Sequence, residues 1–274
     1  MDVLVKQVDL LLVRHGTTRW NREKRYLGLT DIPLDPGGRG ELAPLARELA
    51  GKAFHRVYCS DLARCRETLA IISPAHADTA MYDPRLREMD FGAWEGHTYE
   101  QLQHEFLYRQ WIDSPQQVTP PGGESWADFA GRIDGFIGSL LKDVEGVCRR
   151  PAEAQTGGEA AHSRSQRIET GKAVLPGSQE NETGEAALPG SKGIGDRKEA
   201  LSRSQGPEGT GPDSQVQPKM LIVAHGGVLR QLAVRLVPGL SFWDVHVKPG
   251  SLLRIRLSFT NETGGWSGML VNEA

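Results

Sequence analysis

Two short apolar runs end in the same dipeptide. Val8–Val13 leads into Arg14-His15-Gly16, and Met220–Ala224 leads into His225-Gly226-Gly227. Runs this short and this apolar read as strands buried on both faces, the pattern of a parallel sheet. In open α/β sheets ligands bind in the crevice beyond the carboxyl ends of the strands. Both histidines are therefore expected at one crevice, although they stand near opposite ends of the chain. The glycine after each lets a ligand approach the backbone closely.

The rest of the chain supplies the other layers. Leu42, Leu45, Ala46 and Leu49 are spaced for a helix over Arg39–Leu49. Arg56–Cys59 is a short strand, and Ser60 is placed to cap a helix running through Ile72. Thr98 with Gln101 matches a capping box. Trp126, Phe129, Ile133, Phe136, Ile137, Leu140 and Leu141 trace one helical face. Val228, Leu229, Leu232 and Ala233 do the same behind the second His-Gly. Ser251–Ser258 and Gly268–Val271 read as closing strands. Strands alternating with helices predict an α/β fold, a three-layer α/β/α sandwich with a mainly parallel central sheet.

One segment does not belong to that pattern. Residues 149–218 contain no Phe, Trp or Tyr and are rich in Gly, Pro and Ala. Ser165, Ser178, Ser191 and Ser204 recur every thirteen residues, with Leu175, Leu188 and Leu201 in the same register. Solenoid units are longer than this and carry enough apolar side chains to stack. The segment is expected to be a disordered, low-complexity insert of 13-residue tandem repeats. Residues 1–148 and 219–274 then form a single domain. Loop-closure entropy grows slowly with length, so a long insert need not unsettle such a core.

Charge and composition remove whole classes of function. Lys and Arg number 32 against 35 Asp and Glu, a formal net charge of −3. A nucleic-acid binder would carry a basic footprint, and none is present. No apolar run approaches the roughly 20 residues of a membrane span. The first twelve residues carry acids and no small-residue cleavage site, so no signal peptide is expected. Cys59, Cys65 and Cys148 are too few and too scattered for a disulfide framework, which suits a reducing compartment and a cytoplasmic location.

Arg14 and Arg64 decide the kind of ligand. A guanidinium fork matches phosphate oxygens bidentately and keeps its charge at any useful pH. Arg14, adjacent to His15, would repel a divalent cation, so neither a metal nor any other cofactor is expected. Arg64 follows a strand within Ser60-Asp61-Leu62-Ala63-Arg64-Cys65-Arg66-Glu67-Thr68, on the first turns of a helix facing the same crevice.

These residues carry a resemblance. Leu12-Val13-Arg14-His15-Gly16-Thr17-Thr18-Arg19-Trp20-Asn21 resembles the signature of the histidine phosphatase, or phosphoglycerate mutase-like, superfamily. Three further blocks follow in the order that family requires: Ser60–Thr68, Leu86–Gly96 and Ala224–Gly227. The resemblance implies that His15 is a nucleophile accepting a phosphoryl group. It implies that Arg14, Arg64 and His225 hold the transferring oxygens, with Asn21 at the rim and the Gly226 amide nearby. Glu88 would be the proton donor, with Asp90 the rival carboxyl.

Within that family the chain looks more like phosphatases than mutases. Thr17-Thr18 stands where similar mutases carry Glu-Ser, and between Glu88 and the insert it is mainly Arg109 and Arg132 that are offered to hold a second anionic group. Pro121-Gly122-Gly123-Glu124-Ser125, Phe129 with Arg132, Ser241-Phe242-Trp243 and Pro249-Gly250-Ser251 are similar to the alpha-ribazole phosphatase group, which acts in cobalamin assembly. The resemblance thus implies alpha-ribazole 5′-phosphate as the small-molecule phosphomonoester, with aromatics at the mouth to suit a planar base; Trp94, Trp111 and Trp126 belong either there or to the core. A broad-specificity sugar or nucleotide phosphatase is the alternative; a phosphoglycerate mutase or a non-catalytic binder of a phosphorylated ligand stands behind it. Oligomeric state is not legible.

Overall fold

The computed structural model describes residues 6–149, 217–260 and 264–271. Along the chain run β1 (Lys6–Arg14), α1 (Arg19–Arg22), α2 (Pro36–Gly40), α3 (Ala43–Leu49), β2 (Arg56–Cys59), α4 (Ala63–Ile72) and β3 (Met81–Tyr82). There follow α5 (Tyr99–Leu102), α6 (Phe106–Asp113), α7 (Trp126–Arg149), β4 (Lys219–Ala224), α8 (Gly226–Leu236), β5 (Leu252–Thr260) and β6 (Gly265–Leu270). The expected repeat insert falls almost wholly outside the described residues. Among those described, no helix is long and apolar enough to cross a membrane.

The strands form one six-stranded sheet in the order β3-β2-β4-β1-β5-β6. β3, β2, β4 and β1 are parallel, and β5 and β6 close one side antiparallel. The expected mainly parallel sheet is present, with both antiparallel strands gathered at one edge. Successive side chains on a strand face opposite sides, so one strand feeds two cores. Val8, Leu10 and Leu12 of β1 with Met220, Ile222 and Ala224 of β4 pack against α7 and α8. Leu11 and Val13 with Leu221 and Val223 pack against α3 and α4. That is the three-layer sandwich. Asp9, the one charge inside the first apolar run, faces Arg256 across the β1–β5 ladder and pairs with it at 2.8 Å.

Local chemistry accounts for the elements. α7 buries Phe129, Ile133, Phe136, Leu140 and Val144, a stripe of three- and four-residue steps, and Ser125 Oγ accepts the Asp128 amide at its start. The Thr98–Gln101 capping box is formed. Two expectations need correcting. The helix expected over Arg39–Leu49 is broken into α2 and α3, because Pro44 lacks an N–H and is tolerated only in a first turn. Ser60 does not cap α4, which begins at Ala63; the Ala63 amide is instead capped by Asp31 Oδ1 at 2.8 Å, from a loop far upstream.

Phe136 is fully buried and meets Tyr58 edge-on at 5.3 Å between ring centroids. Truncation there leaves a void between α7 and the sheet. Phe136→Ala is expected to lower unfolding free energy by about 3–5 kcal/mol, measured by chemical denaturation; a loss under about 1 kcal/mol would mean that this layer is not packed as described.

Candidate active site

The pairing of β1 with β4 builds the site. Arg14 stands beside Ala224 in the parallel register, so His15 and His225, one residue beyond each, emerge as neighbours with ring centroids 5.1 Å apart. Both are buried. His15 Nδ1 donates to the Gly16 carbonyl at 2.8 Å, which leaves the Nε2 lone pair free. Arg64 Nε donates to His225 Nδ1 at 3.2 Å, so the proton of a neutral His225 sits on Nε2, 2.9 Å from Ser60 Oγ. Cys65 Sγ lies 3.5 Å from the same nitrogen.

Burial, reinforced by the guanidiniums of Arg64 and Arg14, holds His15 well below the usual imidazole range. Burial, then Arg64, His15 and Arg14, do the same to His225. A histidine kept neutral in this way is a ready nucleophile at neutral pH.

The two arginines lie inside the protein without acids to match. Arg64 is fully buried, and α4 holds it on the crevice side of the sheet. Its terminal nitrogens donate to the carbonyls of Thr30 (2.9 Å) and Gly28 (2.6 Å), leaving two of its five N–H groups uncommitted. Arg14 donates once, to the Val247 carbonyl at 2.8 Å, and its Nε is buried with no partner. Among the described residues neither guanidinium has a carboxylate within ion-pair distance. Two fixed positive charges without matching acids, one of them carrying a donor with no protein partner, favour an anionic ligand.

Glu88 brings a carboxylate to the site. Its Oε2 accepts from the Gly227 amide at 2.9 Å and its Oε1 from the Met89 amide at 3.1 Å, and its charge is felt by both arginines. Gly227 is required for this approach, since a Cβ there would stand 2.4 Å from Glu88 Oε1. Gly226 likewise lies against the Arg14 guanidinium, with space for a Cβ only at 3.3 Å. It begins α8, whose first amides and dipole favour a negative ligand.

The structure thus brings Arg14, His15, Arg64, Glu88, His225 and Gly226 together. Asn21 stands apart from this hydrogen-bond network. Its Oδ1 accepts from the amide and the hydroxyl of Thr18, both at 3.0 Å, in the capping box of α1. Asp90, the rival carboxyl, caps its own turn by accepting from the Gly92 amide at 2.8 Å. Arg132 is not free to hold a ligand: it spans the carbonyls of Arg85, Arg87 and Glu88 and both oxygens of Glu124, and so braces the Glu88 segment. Arg109 is exposed. Trp94 and Trp111 are not at a mouth but buried in an aromatic cluster with Tyr108. Sequence reasoning misses Ser60 as a histidine partner and Thr68, whose Oγ1 accepts the Gly16 amide at 2.9 Å. Both lie within the block around Arg64, but their partners are remote in sequence.

Known proteins bear on this arrangement. The family model of the histidine phosphatase superfamily (branch 1) matches residues 10–148, which contain Arg14, His15, Arg64 and Glu88. Phosphoserine phosphatase 1 of Hydrogenobacter thermophilus is 34% identical over 137 residues, 49% of this chain and 65% of the relative. Probable phosphoglycerate mutase GpmB of Salmonella choleraesuis is 32% identical over 141 residues, 51% of this chain and 66% of the relative. The chain therefore spans just under two thirds of the length of these curated relatives. The crystal structure of the alpha-ribazole phosphatase from Shigella flexneri shares the fold, with a TM-score of 0.61 at 22% identity over 97% of this chain and 96% of that one.

The lowered histidines make stability depend on pH with a definite sign. Below the ordinary imidazole value the unfolded chain takes up protons that the buried rings refuse, so stability falls as the solution is acidified. Each ring contributes a slope of up to about 1.4 kcal/mol per pH unit. The thermal midpoint in a phosphate-free buffer is expected to drop from pH 7.5 to 5.5, and the drop to shrink in the His15→Asn/His225→Asn variant. An equal drop in both proteins would mean that these rings titrate normally.

Proposed function

Because the chain belongs to the histidine phosphatase superfamily, branch 1, we propose that it is a phosphomonoesterase working through a phosphohistidine on His15. The observation that carries this reading is the unmatched positive charge of Arg14 and Arg64, with the orphaned Arg14 Nε, around a neutral histidine whose Nε2 is free. His15 Nε2 attacks phosphorus while the ester P–O bond breaks. Glu88 delivers a proton to the leaving oxygen. A water then attacks the phosphohistidine, giving its proton back to Glu88 and releasing orthophosphate and free His15. Splitting hydrolysis in this way lets one carboxyl serve first as acid and then as base. Arg14, Arg64, His225 and the Gly226 amide stabilise the charge spread over the equatorial oxygens, the principal requirement of phosphoryl transfer. Asn21 we keep at the rim, where its side-chain amide N–H remains to donate once Oδ1 is taken by Thr18.

For the substrate we infer alpha-ribazole 5′-phosphate, of cobalamin assembly, with alpha-ribazole as the leaving alcohol, in a cytoplasmic setting. An aromatic group beside the site supports a planar base: Trp126 meets Phe242, Phe242 meets Trp243, and Arg230 lies under both rings of the latter pair. Arg230 sits one turn beyond Gly226 on the same face of α8, and its charge is felt by Arg14. Trp243 is 59% exposed, so its face is open to a stacking partner. The commitment of Arg132 speaks against a mutase, which needs free cations for a second anionic group.

Phosphate release in EDTA from alpha-ribazole 5′-phosphate, beside a simple aryl phosphate, tests both levels. Strong preference for the ribazole is expected; equal turnover of the two would move the substrate to a broad-specificity sugar or nucleotide phosphatase. His15→Ala is expected to lose at least about a thousandfold in kcat, and labelled substrate should leave an acid-labile phosphoryl group on wild type only. Full activity in His15→Ala would overturn the mechanism. Gly227→Ala, which displaces Glu88, is expected to lose roughly 100-fold on poor leaving groups and far less on the activated aryl ester. Equal losses on both esters would remove Glu88 as the acid.

A further inference from the structure

Arg64 is aimed by a loop, and that loop is held by one carboxylate. The carbonyls of Gly28 and Thr30 accept from the two terminal nitrogens of Arg64, so the segment from Gly28 to Asp31 sets where the guanidinium points. Glu95 holds the same segment from the other side. Its Oε1 accepts from the Leu29 amide at 2.6 Å, and its Oε2 accepts from the Thr30 amide at 2.8 Å and from the Thr30 hydroxyl. A fourth donor, the Phe91 amide, reaches Oε1 at 3.4 Å from the segment that carries Glu88. Asp31 completes the attachment by capping α4 at Ala63, one residue before Arg64.

We propose that Glu95 is a positioning residue for phosphoryl transfer, which fixes Arg64 through the carbonyls of Gly28 and Thr30. The inference rests on the phosphatase reading of the site. Among the described residues four donors and no cation converge on Glu95, and a carboxylate is the side chain that only accepts, at about four lone-pair positions. A glutamine of the same length would turn an NH2 toward one pair of those donors. The packing leaves no slack: a Cβ on Gly28 would stand 2.2 Å from Glu95 Oε1 and 2.3 Å from the Met89 carbonyl. With Glu95 weakened, the two carbonyls drift and the uncommitted N–H groups of Arg64 no longer meet the oxygens they serve. The negative charge of Glu95 also reaches Arg64, which is fully buried and has no carboxylate at ion-pair distance among the described residues.

A double-mutant cycle separates this role from a merely structural one. Glu95→Gln, Arg64→Ala and the double variant are assayed on an aryl phosphate, with orthovanadate affinity measured by calorimetry. Glu95→Gln is expected to lower kcat about 10–100-fold with a smaller change in KM, and to weaken vanadate binding, in the wild-type background. In the Arg64→Ala background the same substitution is expected to change either quantity by less than about twofold. Equal losses in both backgrounds would overturn the proposal. If Glu95→Gln does not fold, Thr30→Val, which removes one of the four donors, is expected to show the same pattern at smaller size. A wild type that binds vanadate but hydrolyses nothing would sink the phosphatase reading, and the cycle would still be read in vanadate affinity. Absence of both binding and turnover would remove both.

Discussion

The register between β1 and β4 is the constraint on which the site depends. Each strand buries both faces, so its side chains are committed alternately to the α7–α8 layer and to the α3–α4 layer. A slip of one residue would exchange those faces for every side chain on the strand. The same register sets Arg14 beside Ala224, and from there the chain has no freedom over where His15 and His225 emerge. The hydrophobic pattern of the core and the spacing of the two rings are therefore one specification. The chemistry is positioned by burial of leucines and valines well removed from it.

Concentrating positive charge in that crevice is costly, and the fold meets the cost with backbone rather than with acids. Arg64 rests on two carbonyls and a neutral imidazole, and Arg14 on one carbonyl. Carboxylates at ion-pair distance would quench the field that an anionic ligand needs, whereas carbonyl dipoles orient the guanidiniums and leave the charge standing. The histidines respond by staying neutral, which leaves the His15 Nε2 lone pair free. Cys65 responds in the opposite sense, its buried thiol pushed up to about 12 and thus inert.

Much of this is legible in the amino-acid sequence alone. The two buried runs, the helical stripes of α7 and α8, the Thr98–Gln101 box and the arginine-histidine blocks are local patterns, and local patterns survive in a linear reading. The side chains that mislead such a reading are those whose partners lie far along the chain. Ser60 has the composition of a cap, but His225, 165 positions away, claims its hydroxyl. Asp31 takes the capping duty instead from outside the helix. Trp94 and Trp111 read equally as mouth or core aromatics until Tyr108 and Tyr26 close around them. Arg132 reads as a free cation until three carbonyls and Glu124 account for its donors.

The two His-Gly pairs show how one dipeptide comes to two different tasks. After β1 the ring nitrogen nearest the backbone is spent on a carbonyl, so the remote nitrogen is bare and can attack. After β4 the near nitrogen receives Arg64 and the remote one carries the proton toward Ser60, so that ring can hold but not attack. The glycines differ in the same way. Gly16 gives its amide to Thr68 and ties β1 to α4, while Gly226 and Gly227 open α8 and make room for Arg14 and Glu88. Nothing in the dipeptide itself distinguishes the ring with a bare nitrogen from the ring without one. The distinction comes from α4, which sends Thr68 to the Gly16 amide and Arg64 to the His225 ring.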